Sequence, residues 1–379
     1  MKYLTNSEIG TPHKMQKTHA VPLILTLAAV AGLANSGRTM LGQSSDSDRE
    51  PVSGMSNPQA VVFDPHTGKA YTVDADAGEV IVANDGNHSA SRVKVGAGPV
   101  SIAINTANDR AYVANAGDGT VSVIDGDSDA VIATLPVGAH PYSIASDSAT
   151  GKVYVSRTYS DQLMVIDAAT NSVTGIKTGS PDLLAVNPRT HTVYMLGYEG
   201  GDLSALNETS HEQTKFSVGM HAWGMALNPD TGSVYVARPG NAEIAVFDPG
   251  SASPRMIPAG QIPCALAVNP RTNTIFAVNY SSNTVTAIDG ASGRAIAQIA
   301  TGSRPEAIAV DPDHNLVYVA NTKGNSITVI DGGNYKILAT LNVGNAPYAL
   351  AIDASAGKLH VANLDRTAYT TIDVSQVKK

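Results

Sequence analysis

The sequence has one cysteine, Cys264, one tryptophan, Trp223, and aromatics at only 5% of its 379 residues. A single cysteine excludes an intramolecular disulfide, an all-thiolate metal centre and the Cys-x-x-Cys-His attachment of a c-type haem. With few rings to bury, the core must be built from Val, Ile, Ala and Leu. Runs of Lys or Arg are missing, and the net charge is −8 with a pI near 5.6. That leaves no phosphate-tracking patch and argues against duplex nucleic acid as a partner. There is no Gly-x-Ser-x-Gly, His-Glu-x-x-His, Walker loop or calcium-loop pattern, so each of those chemistries lacks its motif. No helical period of 3.6 persists through the body of the chain.

What is present is a repeat. It opens on a proline at Pro58, Pro99, Pro141, Pro181, Pro263, Pro305 and Pro347, with Ala222 in the remaining slot. The steps are 41, 42, 40, 41, 41, 42 and 42 residues, a period that belongs to an array of supersecondary units. Residues that obey the repeat are scaffold first. Residues that break it are candidates for chemistry.

Each unit holds four short β-rich runs. The first resembles Ala307-Ile308-Ala309-Val310, small and apolar as befits a strand crowded at an axis. A turn follows, with Asp or Asn, often Pro next, and Gly or Asn four residues after the first, as in Asp64-Pro65 with Gly68. The second run is Tyr318-Val319-Ala320-Asn321 or a variant, the third Ile327-Thr328-Val329-Ile330-Asp331, and the fourth is the most variable. Four antiparallel strands repeated radially make an all-β β-propeller. Eight copies predict eight four-stranded blades; seven is the alternative. The fourth run occurs only seven times, so residues 50–54 are expected to supply the missing strand and close the ring.

The N-terminus differs in kind. Lys14 and Lys17 precede an apolar stretch from Ala20 to Ala34, with small residues at its exit. Residues 1–36 therefore read as a secretory signal peptide or a retained N-terminal anchor, 37–50 as a polar linker and 51–377 as the propeller. The stretch is short against the roughly 20 residues that span a bilayer. The expected location is extracytoplasmic: periplasm, cell surface or secreted. A membrane would be met only through the N-terminal segment if uncleaved.

Tyr112-Val113-Ala114-Asn115 and Tyr318-Val319-Ala320-Asn321, with the Val-x-Val-Ile-Asp and Val-Gly-x-x-Pro motifs, resemble the YVTN family of β-propeller repeats. The resemblance covers about residues 51–377. It implies an exported or cell-surface propeller. The family carries no single catalytic motif, so no catalytic residue follows from it.

Function is then sought where the repeat breaks. Loops that enter the innermost strand and loops that join the second and third strands share one face of a propeller, around the mouth of the central channel. Before the proline slot stand His140, His221 and Arg304; after it stand Tyr142, Asp182, Trp223, Cys264, Glu306 and Tyr348. The Asn that ends the second run becomes Arg157 in blade three, Gly197 in blade four and Arg238 in blade five. The departures coincide on blades three to five. Guanidiniums suit carboxylates or phosphates, and aromatic faces suit rings.

The expectation is a non-catalytic binding or interaction scaffold with no cofactor and no metal. Its site would be Tyr142, Arg157, Asp182, His221, Trp223 and Arg238, with His140, Arg304 and Glu306 as secondary candidates. The partner would be a protein or a small anionic or aromatic ligand. The alternative is a lactonase- or lyase-like enzyme in the same cavity, with His140 or His221 as base and Glu306 as acid. Cys264 reads as a small buried apolar residue, and His191 as a surface or turn residue.

Overall fold

The computed structural model describes residues 58–84, 89–198, 200–364 and 369–377. They form eight antiparallel sheets in sequence order, seven of four strands and the last of three. The eight innermost strands pack side by side, each on the next, and that of blade eight, Pro347–Asp353, on that of blade one, Pro58–Asp64. The ring is closed by packing as well as by order: Val61, Phe63 and Ile81 of blade one share a buried cluster with Tyr348, Ala349 and Ala362 of blade eight. The protein is thus an eight-bladed β-propeller. The closing strand expected at residues 50–54, the leader 1–36 and the linker 37–50 lie outside the described residues.

The burial gradient explains the composition. Inner, second and third strands are sandwiched between neighbouring blades and are nearly all buried, as in Leu316–Asn321 and Ser326–Asp331. Outer strands meet solvent and alternate, as in Ala130–Pro136. The tyrosine opening the second-run motif is buried at Tyr71, Tyr112, Tyr154, Tyr235 and Tyr318. At roughly 25 cal/mol per Å2 and about 150 Å2 or more per ring, each contributes on the order of 4 kcal/mol before entropy is charged against it.

The turn after each inner strand behaves as its residues predict. In all eight blades the terminal Asp or Asn accepts, through Oδ1, the N–H two residues on: Asp64, Asn105, Asp147, Asn187, Asn228, Asn269, Asp311 and Asp353. Four residues after that Asx the backbone is left-handed, at Gly68, Asp109, Gly151, His191, Gly232, Asn273, Asn315 and Gly357. Gly and Asn fill six of these eight positions; Asp109 and His191 do not.

Candidate binding site at the channel mouth

The proline slot does more than start a strand. In blades one, two, six, seven and eight the ladder skips one residue just after the proline: Pro263 pairs with Asn279 and Ala265 with Val278, leaving Cys264 as a bulge. Val100, Glu306 and Tyr348 occupy the same bulge, and in blade three Tyr142 and Ser143 together oppose Ser156. A bulge re-aims its side chain out of the ladder, which is how sheets commonly present functional groups. Blades four and five lack the regular start; their inner strands are shortened to Leu183–Asn187 and Met225–Leu227. Asp182 and Trp223 still hold the second strand through backbone bonds to Leu196 and Ala237, at 3.0 and 3.1 Å.

These side chains influence one another electrostatically. Ionisation of the buried Tyr348 is opposed first by burial and then by Glu306, Tyr142 and Cys264, which belong to blades seven, three and six. Groups on three other blades thus lie near enough for their charges to act on this ring. Burial, then Asp182 and Tyr198, likewise pushes the Tyr142 hydroxyl well above its ordinary range. Burial raises Glu306 above a normal carboxyl, with Arg304 and Thr322 pulling the other way. Arg304 Nε lies 2.7 Å from Glu306 Oε1, and its guanidinium sits 4.9 Å above the Tyr280 ring. The Cys264 thiol is pushed up by burial and by Glu306, and it packs as a core residue against the carbonyls of Val278 and Pro305.

On the other side of the mouth, Asp182 Oδ2 accepts the N–H of Tyr198 at 2.7 Å. His221 donates its own N–H to the Tyr198 carbonyl at 2.8 Å, and the two rings meet edge to face at 5.1 Å. Trp223 is half-buried against the core of blades six and seven. The structure therefore brings together Tyr142, Asp182 and His221 through Tyr198, and Glu306 and Arg304 through Tyr280. Sequence reasoning left Tyr198, Tyr280, Tyr348 and Thr322 out of the site. Tyr348 shares the bulge position of Tyr142, and that signal was available.

Arg157 and Arg238 go elsewhere. Arg157 donates to Ser160 Oγ and Gln162 Oε1 at 2.7 and 3.3 Å. Arg238 donates to Glu243 Oε2 at 2.8 Å and reaches Met256. All these partners lie in the arginine's own blade. Each arginine fills the place that Asn115, Asn279 and Asn321 fill elsewhere, against the glycine of the Val-Gly motif or its equivalent. Those asparagines bond the hydroxyls five and seven residues on, Thr120 and Ser122, Thr284 and Thr286, Ser326 and Thr328. After the arginines the same positions hold Gln162 and Met164, or Glu243 and Ala245.

His140 is exposed, and like Gly98, His221, Ile262, Arg304 and Ala346 it is left-handed, with φ of 53°. Its carbonyl accepts the N–H of Thr158 at 3.0 Å, as that of Ile262 does from Tyr280 and that of Arg304 from Thr322. The position before the slot thus has a backbone duty, and His is among the residues that tolerate it. On the opposite face a separate group, Asp147, His191 and Glu208, is spaced so that it could hold a metal ion. A cavity of about 350 Å3 also opens there, between Tyr318, His314 and Gly357 of blades seven and eight, away from the mouth.

No protein-family model matches the chain, and the search of curated proteins found no match. Solved structures are similar in fold. A chain of hydrazine synthase from Kuenenia stuttgartiensis is 15% identical with a TM-score of 0.59, over 89% of this chain and 100% of that one. Dihydro-haem d1 dehydrogenase NirN, solved in complex with DHE, is 16% identical with a TM-score of 0.70, over 83% of this chain and 72% of that one. At these identities the likeness extends to the propeller fold alone.

Proposed function

We propose that the chain is an exported YVTN-type propeller that binds a ligand or partner at the mouth of its channel without transforming it. The observation that carries this reading is the presentation of Tyr142 and Glu306 at strand-start bulges of the mouth, with Arg304 held on Glu306 and over Tyr280. Asp182, His221 and Trp223 extend it. With Arg157 and Arg238 engaged in their own blades, the mouth offers aromatic rings and the Asp182 carboxyl, while its remaining arginine, Arg304, is already paired with Glu306. That favours a planar ligand stacking on Trp223 and Tyr142 over a purely anionic one.

The enzymatic alternative has one observation in its favour, the raised Glu306 carboxyl, which suits a general acid. Its partners are Arg304 and Thr322, while the His221 ring rests on Tyr198. The acid–base pair that this reading requires is therefore not assembled around Glu306. The two similar structures are named for hydrazine synthesis and haem d1 dehydrogenation. A redox role here would need a group held without the paired thioether bonds of a Cys-x-x-Cys-His site, since Cys264 is the only cysteine.

Trp223 is a built-in reporter. Titrating the protein with a panel of planar aromatic carboxylates and aromatic amines should quench its fluorescence saturably for at least one class. Tyr142→Ala and Asp182→Ala should weaken that binding at least about tenfold, whereas Arg157→Gln should leave it within about threefold. Equal loss in all three, or no quenching by any class, would count against the site.

A further inference from the structure

The face opposite the mouth carries the turns after the first and third strands, and there the repeat builds a standard stitch between blades. The amide ending one inner strand reaches the left-handed residue of the next blade: Asn228 Nδ2 donates to Asn273 Oδ1, and Asn269 Nδ2 to Asn315 Oδ1, both at 2.7 Å. The carbonyl of the left-handed residue accepts the N–H of the residue that follows the third strand. Gly126 donates to Asp109, Gly290 to Asn273 and Gly332 to Asn315 in this way, at 2.8, 2.8 and 2.9 Å. Those donors are glycines because a Cβ there would collide with Asp109 O, Asn273 Oδ1 or Asn315 Oδ1.

Between blades three and four every member of the stitch changes. The strand ends on Asp147, the left-handed residue is His191, and the glycine is Glu208. The backbone bond survives, Glu208 N–H to His191 O at 3.0 Å. His191 Nδ1 lies 2.8 Å from Asp147 Oδ2, and the Asp147 side chain is fully buried. Glu208 is 4% exposed. Its Oε2 accepts from Thr150 Oγ1 at 3.0 Å, the Tyr154 hydroxyl and Asp147 lie against the same carboxyl, and Oε1 is buried without a hydrogen-bond partner of its own. One imidazole nitrogen and one oxygen from each carboxylate lie within 4.8 Å of one another.

Two buried carboxylates side by side cannot both stay ionised at tolerable cost without a cation or a proton between them. We propose that Asp147, His191 and Glu208 bind a divalent transition-metal ion of the Zn2+ or Mn2+ class, pinning blade three to blade four. An imidazole with two carboxylates suits those ions. Mg2+ and Ca2+ prefer oxygen alone. Three protein ligands leave the remaining coordination positions to water, and Thr150 orients Glu208 from behind, as outer partners of metal ligands do. The rival occupant is a proton: a protonated His191 on Asp147, or a protonated Glu208 donating to Asp147, would meet the same charge without metal.

The two are separable. The chelator-treated full chain is titrated at pH 7.5 with Zn2+ and, separately, Mn2+, in competition with a chromophoric chelator. At least one ion should bind with a stoichiometry of one and a Kd of about 10 μM or tighter, and should raise the unfolding temperature. His191→Asn restores the amide used in blades six and seven and should fold. It and Glu208→Gln should each weaken binding at least about tenfold. His314→Asn, which alters a histidine paired with Asp311 in another blade, should not. Absence of stoichiometric binding of both ions by the wild type overturns the proposal in favour of the proton. Unchanged affinity in His191→Asn, or equal loss in His314→Asn, overturns it in favour of another site.

Discussion

A Cβ on Gly96 would stand 2.6 Å from the side-chain Nδ2 of Asn115. The glycine of the loop and the asparagine of the second strand are thus a matched pair: one vacates the space in which the other makes its two bonds to Thr120 and Ser122. Gly260 with Asn279 and Gly302 with Asn321 repeat it. Gly96→Ala should therefore destabilise by about 1–3 kcal/mol, through overpacking and displaced hydrogen bonds. Urea unfolding measures the difference. Gly200→Ala, where nothing lies within 4 Å, is the matched control and should cost well under about 1 kcal/mol.

If Arg238 is a substitute for that asparagine, its environment must have changed with it. Glu243 and Ala245 offer no hydroxyls where the asparagine blades have Thr or Ser. Arg238→Asn alone should cost about 1 kcal/mol, since it loses the ion pair with Glu243 and gains no partner. Adding Glu243→Thr and Ala245→Thr should return most of that loss. A triple variant no more stable than the single one would show that Arg238 does not occupy the asparagine's structural place. The coupling is read from a mutant cycle in denaturant.

The eight blades were legible because a period near forty residues constrains every copy at once, and the Asx turns confirmed it residue by residue. The mouth was legible only in part. Position relative to the proline slot locates Tyr142, Asp182 and Glu306, but direction does not follow from position. Arg157 and Arg238 turn into their own blades because the Val-Gly glycine leaves room for them there, a relationship between residues about nineteen apart in the chain. His140 and Arg304 stand out in composition, yet they hold a backbone conformation that Gly98 and Ile262 also hold. The Asp147–His191–Glu208 group escaped because each member is an ordinary turn residue by itself. Only the register between blades brings them together.

Cys264 should be a silent thiol. It is 4% exposed, and burial raises its ionisation well beyond the ordinary thiol range, so the nucleophilic thiolate is scarce and shielded. A disulfide reagent at pH 8 should label the native protein at least about a thousandfold more slowly than the unfolded chain. The labelling rate should climb with urea in step with global unfolding. Rapid labelling in the absence of denaturant would mean that blade six opens locally at the mouth.

Glu306 should make stability depend on pH in the opposite sense to an ordinary ion-paired acid. Its carboxyl is raised in the folded protein, with burial the main cause and Arg304 only a partial offset. The native state then binds the proton more tightly than the unfolded chain, whose carboxyl titrates near about pH 4.3. Below that pH both states are protonated and the group is at its most favourable. As pH rises through the interval up to the folded-state value, the unfolded chain releases its proton first, and stability falls. Above the interval the loss is complete. Glu306→Gln abolishes the titration while keeping size and hydrogen bonding. The variant should be more stable than wild type at pH 8 by a few tenths to about 1 kcal/mol, with the advantage shrinking towards zero near pH 4. Chemical denaturation at a series of pH values measures it. A variant less stable than wild type at pH 8 would instead mean that the ion pair with Arg304 outweighs the cost of burying the charge.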